Sequence, residues 1–502
     1  VKYSAEGYEA IIQKYNLNVI PNWHRSFIWK ESQTHHKQKS NDYIKEIFPA
    51  KYKPGKSIGE QLEFAFKYDG INLSILSQIF SVIDTNDLIE YIKSKRTGKY
   101  ARRIWFLYEF LTGKKLPIDD LKQGNYIDLL EVDQYYTLSK GTSVKRQRVR
   151  NNLLGTKAFC PIVRKTETLK NMENEDLAQV CKELIVNYPP EILRKALAYL
   201  YTKETKSSFF IEHEEPNNTR TERFVALLQE AQEDDFCQKE RLIELQNRIV
   251  DKRFADKDYR KNQNYVGETL LHGREKIHYI SPKPKELEEL MEGLILCHHR
   301  MIEGNVNPII HASVIAYGFV FLHPFEDGNG RIHRFLIHNI LAIRGFTPRG
   351  IMFPVSAVML KKSLSYDQSL EAFSSKLIPL IDYTLDEDGI MKVSSDTAHW
   401  YRYMDLTQQS EALYSFVKET IENELPNELL FLSAYNKTKE AMKEIIDMPD
   451  RMIDLFIRFT LQNHGKLSKK KRYKYFDKLT DQEIEKLQKV LIDQNLHHFH
   501  TK

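Results

Sequence analysis

Between His323 and Arg334 the chain reads HPFEDGNGRIHR, and the residue types in that short run suit the handling of phosphate. His323 precedes a proline, which biases it away from the α region, so the apolar helix leading to Leu322 should give out there and present the imidazole at a loop mouth. An imidazole titrates near neutrality and takes a proton from an incoming hydroxyl. Gly328 and Gly330 lack Cβ atoms, which lets a phosphate approach the main chain closely. The following RIHRFLIHNILAIRG has helical spacing and ends at Gly345. The glycine turn therefore lies at a helix N-terminus, whose free N–H groups and dipole favour negative charge. Arg331 and Arg334, three residues apart, share a face of the first turn and add two positive charges. Asp327 is a hard oxygen ligand suited to a Mg²⁺ that phosphate oxygens also hold. Together these parts describe phosphoryl or nucleotidyl transfer, with a base for the nucleophile and donors for the developing charge.

The elements that position this turn are mostly helices. Apolar residues recur at a 3.6-residue spacing with few alternating runs, which predicts a mainly α protein. Three regions are expected: an N-terminal helical region over 1–170 of unknown role, a core over 171–388, and a C-terminal helical region over 389–502. SIGEQLEFAFKYDGINLSILSQIF and LIEYIKSKRTGKYARRIWFLYEFLTG show the spacing, the second closed by Gly113. LSKGTSVKRQRVRNNLLG reads as a less ordered patch. Pro189 and Pro190 are placed to start a helix. REKIHYISPKP, residues 274–284, is short, β-prone and halted by Pro282 and Pro284, so it reads as a hairpin. Thr480 and Glu483 have capping-box spacing.

Composition narrows the class. Of 502 residues, 41% are hydrophobic and 28% charged, which suits a folded protein rather than a disordered one. The 74 basic residues face 69 acidic ones, so the net +5 does not imply nucleic-acid binding, and KRQRVR and KLSKKKRYKY read as solvated faces. KPGKS, 53–57, fails as a phosphate loop because Ala50 stands where the first glycine would be. Four scattered cysteines without a C-x-x-C pair suit reduced thiols and a cytoplasmic protein. NPIIHASVIAYGFVFLH is too short and too rich in histidine to span a bilayer, so no membrane segment is expected.

The stretch at 323–334 resembles the signature of the Fic (Fido) family, His-Pro-Phe-x-Asp/Glu-Gly-Asn-Gly-Arg-x-x-Arg, at every defined position. The resemblance implies a helical core with a small β-hairpin flap and a protein adenylyltransferase, which moves AMP from ATP to a Ser, Thr or Tyr hydroxyl of a target protein. It implies His323 as general base, Asp327 as the Mg²⁺ ligand, and Gly328, Asn329, Gly330, Arg331 and Arg334 around the phosphates. Tyr366 falls where relatives place an aromatic near the adenine. The hairpin near 274–284 would align a target protein by strand addition. SSFFIEH resembles the family's inhibitory helix, Ser/Thr-x-x-x-Glu-Gly/Asn, through Ser208 and Glu212, whose carboxylate would engage Arg334. This chain departs from the pattern at His213, which replaces Gly or Asn, and has His333 where many relatives have Gly. AMP removal, transfer of another phosphate-linked group, a non-enzymatic regulator that binds a partner or nucleic acid, and homo-oligomerisation all stay open.

Overall fold

The computed structural model describes residues 3–31, 34–40, 43–270, 275–349, 351–494 and 496. Helices dominate and the sheets are small. The chain packs as two compact units, each discontinuous in sequence. The first comprises Val1–Glu175, Ser208–Phe346 and Met359–Ser415, and the second Asp176–Ser207, Thr347–Val358 and Phe416–Lys502. These lines differ from the expected divisions near 170 and 388. Helix spacing is a local property, whereas packing groups segments that are distant in sequence.

The first unit opens with a feature the spacing did not show. Ser4–Glu6, His24–Trp29, Ile44–Pro49 and His36–Lys39 form, in that spatial order, a four-stranded sheet. Its central pair is parallel and both outer pairs are antiparallel. HRSFIW does alternate in burial, but the run is short, and HKQK is exposed throughout, so pairing rather than pattern makes it a strand. The region expected to be helical over 1–170 is therefore mixed. Helices Ile58–Tyr68, Leu73–Val82, Thr85–Ser94 and Lys99–Thr112 follow, and Gly113 ends the last one at φ +72° as expected. Their apolar faces close a core around Leu62, Ile79, Ile104 and Trp105. KPGKS leads into the first of these helices, where Ser57 and Glu60 form a capping box.

The patch expected to be less ordered carries strands Thr142–Val144 and Val149–Asn151, with Ile127–Asp128 alongside. Three arginines of its basic run are held by partners within the same unit. Arg146 pairs with Glu109 and Asp120, Arg150 pairs with Asp128, and Arg148 donates to the carbonyls of Leu121, Lys122 and Gly124.

Three helices pack at the centre of the segment around the glycine turn: Pro284–Glu303, Pro308–Leu322 and Asn329–Ile343. The middle one is buried on every side from Ile309 to Leu322, which accounts for the apolar run in the sequence. No described helix is long and apolar enough to cross a membrane. His311 sits inside that helix without cost because the hydrogen-bond polarity is fully determined. Arg344 Nη1 donates to His311 Nδ1, so His311 Nε2 donates to His298 Nδ1, and His298 Nε2 in turn donates to Asp235. Burial pushes the His311 pKa well below its ordinary value.

The hairpin is present, but it starts earlier than expected. Tyr265–Thr269 pairs antiparallel with Glu275–Ile280, so only the second strand falls within 274–284, and Arg274 lies outside the described residues. Pro284 then opens the next helix at its first position.

The second unit is helical among its described residues. Asp450–Leu461 and Asp481–Asp493 pack with Leu425–Ile445 around Met442, Phe456, Ile457 and Leu487. Thr480 and Glu483 form the expected capping box. Helix Pro190–Ile211 begins at the proline the sequence pointed to, and its residues to Ser207 belong to this unit.

Candidate active site

The helix 308–322 ends at His323, which adopts the left-handed conformation, φ 51° and ψ 58°. Pro324 forbids continuation, and the chain turns by an unusual route for a side chain with a Cβ. Arg260, which the sequence reading did not single out, holds that turn. Its backbone N–H donates to the Pro324 carbonyl at 2.8 Å, its Nε to the His323 carbonyl at 2.7 Å, and its Nη2 to the Pro282 carbonyl at 2.6 Å. Arg260, 4% exposed, thus ties the backbone of His323 to the foot of the hairpin. Burial lowers its pKa to about 10. The only hint in the sequence is an arginine beside a tyrosine in a polar loop, which carries no pattern.

His323 Nδ1 lies 3.1 Å from the Val320 carbonyl. A carbonyl only accepts, so Nδ1 carries the proton and Nε2 keeps its lone pair. Burial pushes the pKa down to about 4, against the opposing Val320 hydrogen bond, so the ring is neutral at pH 7. That is the protonation state and tautomer a general base requires.

Gly328, at φ +91°, caps the helix Asn329–Ile343 without any side-chain cap, leaving the first-turn N–H groups facing outward. Asn329 differs from expectation. Its Nδ2 donates to the Phe325 carbonyl and its Oδ1 accepts from the Phe325 N–H, at 2.7 and 3.0 Å. The side chain is thereby spent on bracing the turn, because a buried amide must satisfy both ends. What it offers an anion is its backbone N–H. Asp327 is about half exposed at its side chain, and its Oδ1 accepts from the Gly328 N–H at 2.5 Å and from Arg331 Nη2 at 2.8 Å.

Both signature arginines are buried, each 1% exposed. Arg334 is surrounded. Its Nε donates to Ser208 Oγ at 2.9 Å, its Nη2 to the Ser208 carbonyl and to Glu212 Oε1, both at 2.7 Å, and its Nη1 to the Tyr366 hydroxyl at 3.3 Å. Tyr366 therefore stands at the arginine, its buried hydroxyl oxygen accepting from the guanidinium. Burial raises the Tyr366 pKa. Burial also pushes the Glu212 pKa up, but Arg334, helped by Arg331, outweighs it and the net shift is downward. The carboxylate lies against the glycine turn: a Cβ on Gly330 would fall 2.2 Å from Glu212 Oε1.

The departure at His213 has a structural account. His213 takes the left-handed conformation, φ 57°, just past the end of helix 190–211. The Glu214 N–H reaches the Phe209 carbonyl and the His213 N–H reaches the Phe210 carbonyl, the pair of bonds that ends a helix in a Schellman turn. Gly or Asn adopts that conformation most easily, and here a histidine does so. This turn also delivers Glu214, a second residue the sequence reading missed, whose Oε2 lies 3.4 Å from Arg331 Nη1 and 2.7 Å from Arg220 Nη2. His333 packs into the core, its ring 4.8 Å from that of Tyr317, and burial lowers its pKa to about 3.

The structure thus brings together Ser208, Glu212, His323, Asp327, Gly328, Gly330, Arg331, Arg334 and Tyr366 around one anion-favouring helix start. Residues 236–341 match the Fic/DOC family, and the chain carries a Fic/DOC-family domain there. Among curated proteins, the chain is 32% identical over 91 residues to the protein adenylyltransferase Fic of Drosophila sechellia, covering 18% of this chain and 16% of that protein. It is 31% identical over 91 residues to the namesake of Drosophila virilis, covering 18% and 17%. The match thus spans about a sixth of the length of these relatives. Among solved structures, a Fic family protein from Desulfovibrio desulfuricans G20 aligns over 65% of this chain and 87% of its own, at 16% identity and a TM-score of 0.37. A Fic domain containing signaling protein from Bacteroides thetaiotaomicron VPI-5482 aligns over 52% and 97%, also at 16% identity, with a TM-score of 0.36.

Proposed function

We propose that this protein is an adenylyltransferase that moves AMP from ATP to a Ser, Thr or Tyr hydroxyl of a cytoplasmic target protein, and that Glu212 restrains it. The observation that carries this reading is the glycine-capped helix start with two buried arginines, faced by a neutral histidine whose Nε2 has no hydrogen-bond partner among the described residues. Gly328 and Gly330 let the ATP phosphates approach the backbone N–H groups, and Arg331 and Arg334 hold the β and γ end. The target hydroxyl gives its proton to His323 Nε2 as its oxygen bonds to the α-phosphorus. The bond from that phosphorus to the bridging oxygen breaks, and pyrophosphate leaves with the electron pair. Asp327 fits a Mg²⁺, since it is a half-exposed hard oxygen donor beside the turn. The ion supplies charge neutralisation on the phosphates. In the resting chain Glu212 occupies Arg334 and crowds Gly330, so ATP meets a covered site.

Incubation with α-labelled and γ-labelled ATP tests the reaction. AMP transfer leaves only the α label on protein. Retention of the γ label would mark phosphate transfer instead and defeat the reading.

A further inference from the structure

We propose a second ligand site in the first unit, a cleft that takes a small aromatic monocarboxylate. The cleft has a volume of ≈ 90 Å³ and includes Arg164, Lys376, Trp23 and Trp400 in its lining. It is too small for a nucleotide, given that pockets for larger ligands run to about 300 Å³ and above.

Arg164 is built as an anion fork. Its guanidinium lies over the Trp23 ring, 4.5 Å from the centroid, and its Nε is pinned by Asp405 at 3.0 Å. Its two Nη groups have no hydrogen-bond partner among the described residues. A guanidinium stacked on an indole and fixed at one nitrogen has already lost the freedom that binding would cost, and its remaining edge matches a carboxylate. Lys376, in the same cleft, makes no ion pair or hydrogen bond among the described residues.

Two buried donors lie on residues of the lining. Trp400 is 2% exposed and Ser74 is 6% exposed, both line the cleft, and neither the indole N–H nor the hydroxyl has a partner among the described residues. Both atoms are shielded from solvent, so an anion entering the cleft is met by Arg164 and Lys376. Arg164 and Lys376 against Asp405 leave one positive charge in excess, which suits a monoanion better than a doubly charged phosphate. Phe373 and Tyr403 join the two tryptophans in the lining, and because the cleft is smaller than the about 150 Å³ of a benzene-sized cavity, the carboxylate enters it and the planar body rests at its mouth.

Sodium benzoate is the probe, titrated into the full chain by calorimetry and by fluorescence of Trp23 and Trp400. Saturable binding in the roughly millimolar range or tighter is expected. Benzamide, which keeps the ring and loses the charge, should bind about tenfold more weakly or worse. Arg164→Lys should lower benzoate affinity about tenfold, because an ammonium neither stacks nor forks. Arg164 also braces Asp405, so Lys376→Gln, which breaks no contact of the free protein among the described residues, provides an independent arm. It should weaken benzoate about threefold or more without changing thermal unfolding. The proposal is overturned if benzoate does not saturate by about 20 mM. It is also overturned if benzamide or inorganic phosphate binds as well as benzoate, or if neither substitution changes benzoate affinity.

Discussion

Two pairs of cations in the same unit are handled in opposite ways. Arg331 and Arg334 are buried and each faces a carboxylate from one short turn, Glu214 and Glu212. Arg164 and Lys376 line a cleft whose lining includes one carboxylate, Asp405, which accepts from Arg164 only at Nε while its other oxygen is held by Thr407. A buried cation needs countercharge. Where the chain supplies it, an incoming anion must first displace the chain's own carboxylates, and binding becomes gated. Where the chain withholds it, an outside anion meets no competitor. The first arrangement suits a reaction that should not run unattended, the second a site meant to be filled.

This comparison is sharpest where the anion must also react. Removing the base should have the largest effect: His323→Ala should lower α-label transfer by about 10²–10⁴-fold while ATP binding persists, since phosphate affinity resides in the turn and the arginines. A near wild-type rate in that variant would remove His323 from the mechanism. Opening the gate comes next. Glu212→Gly should raise labelling about tenfold or more, the scale of one charge-assisted hydrogen bond to arginine. Adding His323→Ala to it should silence the protein again. No rise in a folded, ATP-binding Glu212→Gly would show that the carboxylate restrains nothing. Asp327→Ala should depress labelling several-fold, with partial recovery as Mg²⁺ is raised, because phosphate oxygens and waters supply much of the ion's shell. Labelling indifferent to both EDTA and this substitution would dismiss the metal. The smallest effect belongs to Glu214→Gln. Its contact with Arg331 is longer than that of Glu212 with Arg334 and is shared with Arg220, so labelling should rise only about twofold. A rise matching that of Glu212→Gly would make the two glutamates equal partners in the gate.

The pH profile separates the gate from the base. The Glu212 pKa is lowered in the fold, so its ion pair stabilises the closed site everywhere above the ordinary carboxylate range and is lost only as pH falls through the lowered value. The His323 pKa is depressed to about 4, so the imidazole stays neutral well below the usual range. The kcat/KM of Glu212→Gly should therefore be flat between about pH 6 and 8. An inflection near 6.5 would show that His323 titrates as an ordinary exposed histidine.

Much of the site was readable without coordinates, since a helix start, its glycines and its i, i+3 arginines lie within one short run whose geometry is local. The spacing of Ser208 and Glu212 also carried over, because both lie on one helix end. Local spacing could not reveal Arg260, which matters through carbonyls of two distant segments, at His323 and Pro324 and at Pro282, or the bracing role of Asn329. The N-terminal sheet stayed hidden for the same reason: HKQK has no strand pattern of its own and is ordered by its neighbour, Ile44–Pro49.

The sequence by itself determined the mainly helical character, the placement of His323 at a helix end, and the anion-favouring turn that follows, because each depends on residues within a few positions of one another. Only the tertiary structure decided that Tyr366 meets Arg334, that Arg146 and Arg150 of KRQRVR pair with Glu109, Asp120 and Asp128, and that Arg164 lies over Trp23 with its Nη groups unpartnered among the described residues. Those outcomes depend on which distant side chains share a low-dielectric space. There, a charge is either answered by a partner from elsewhere in the chain or left for one from outside.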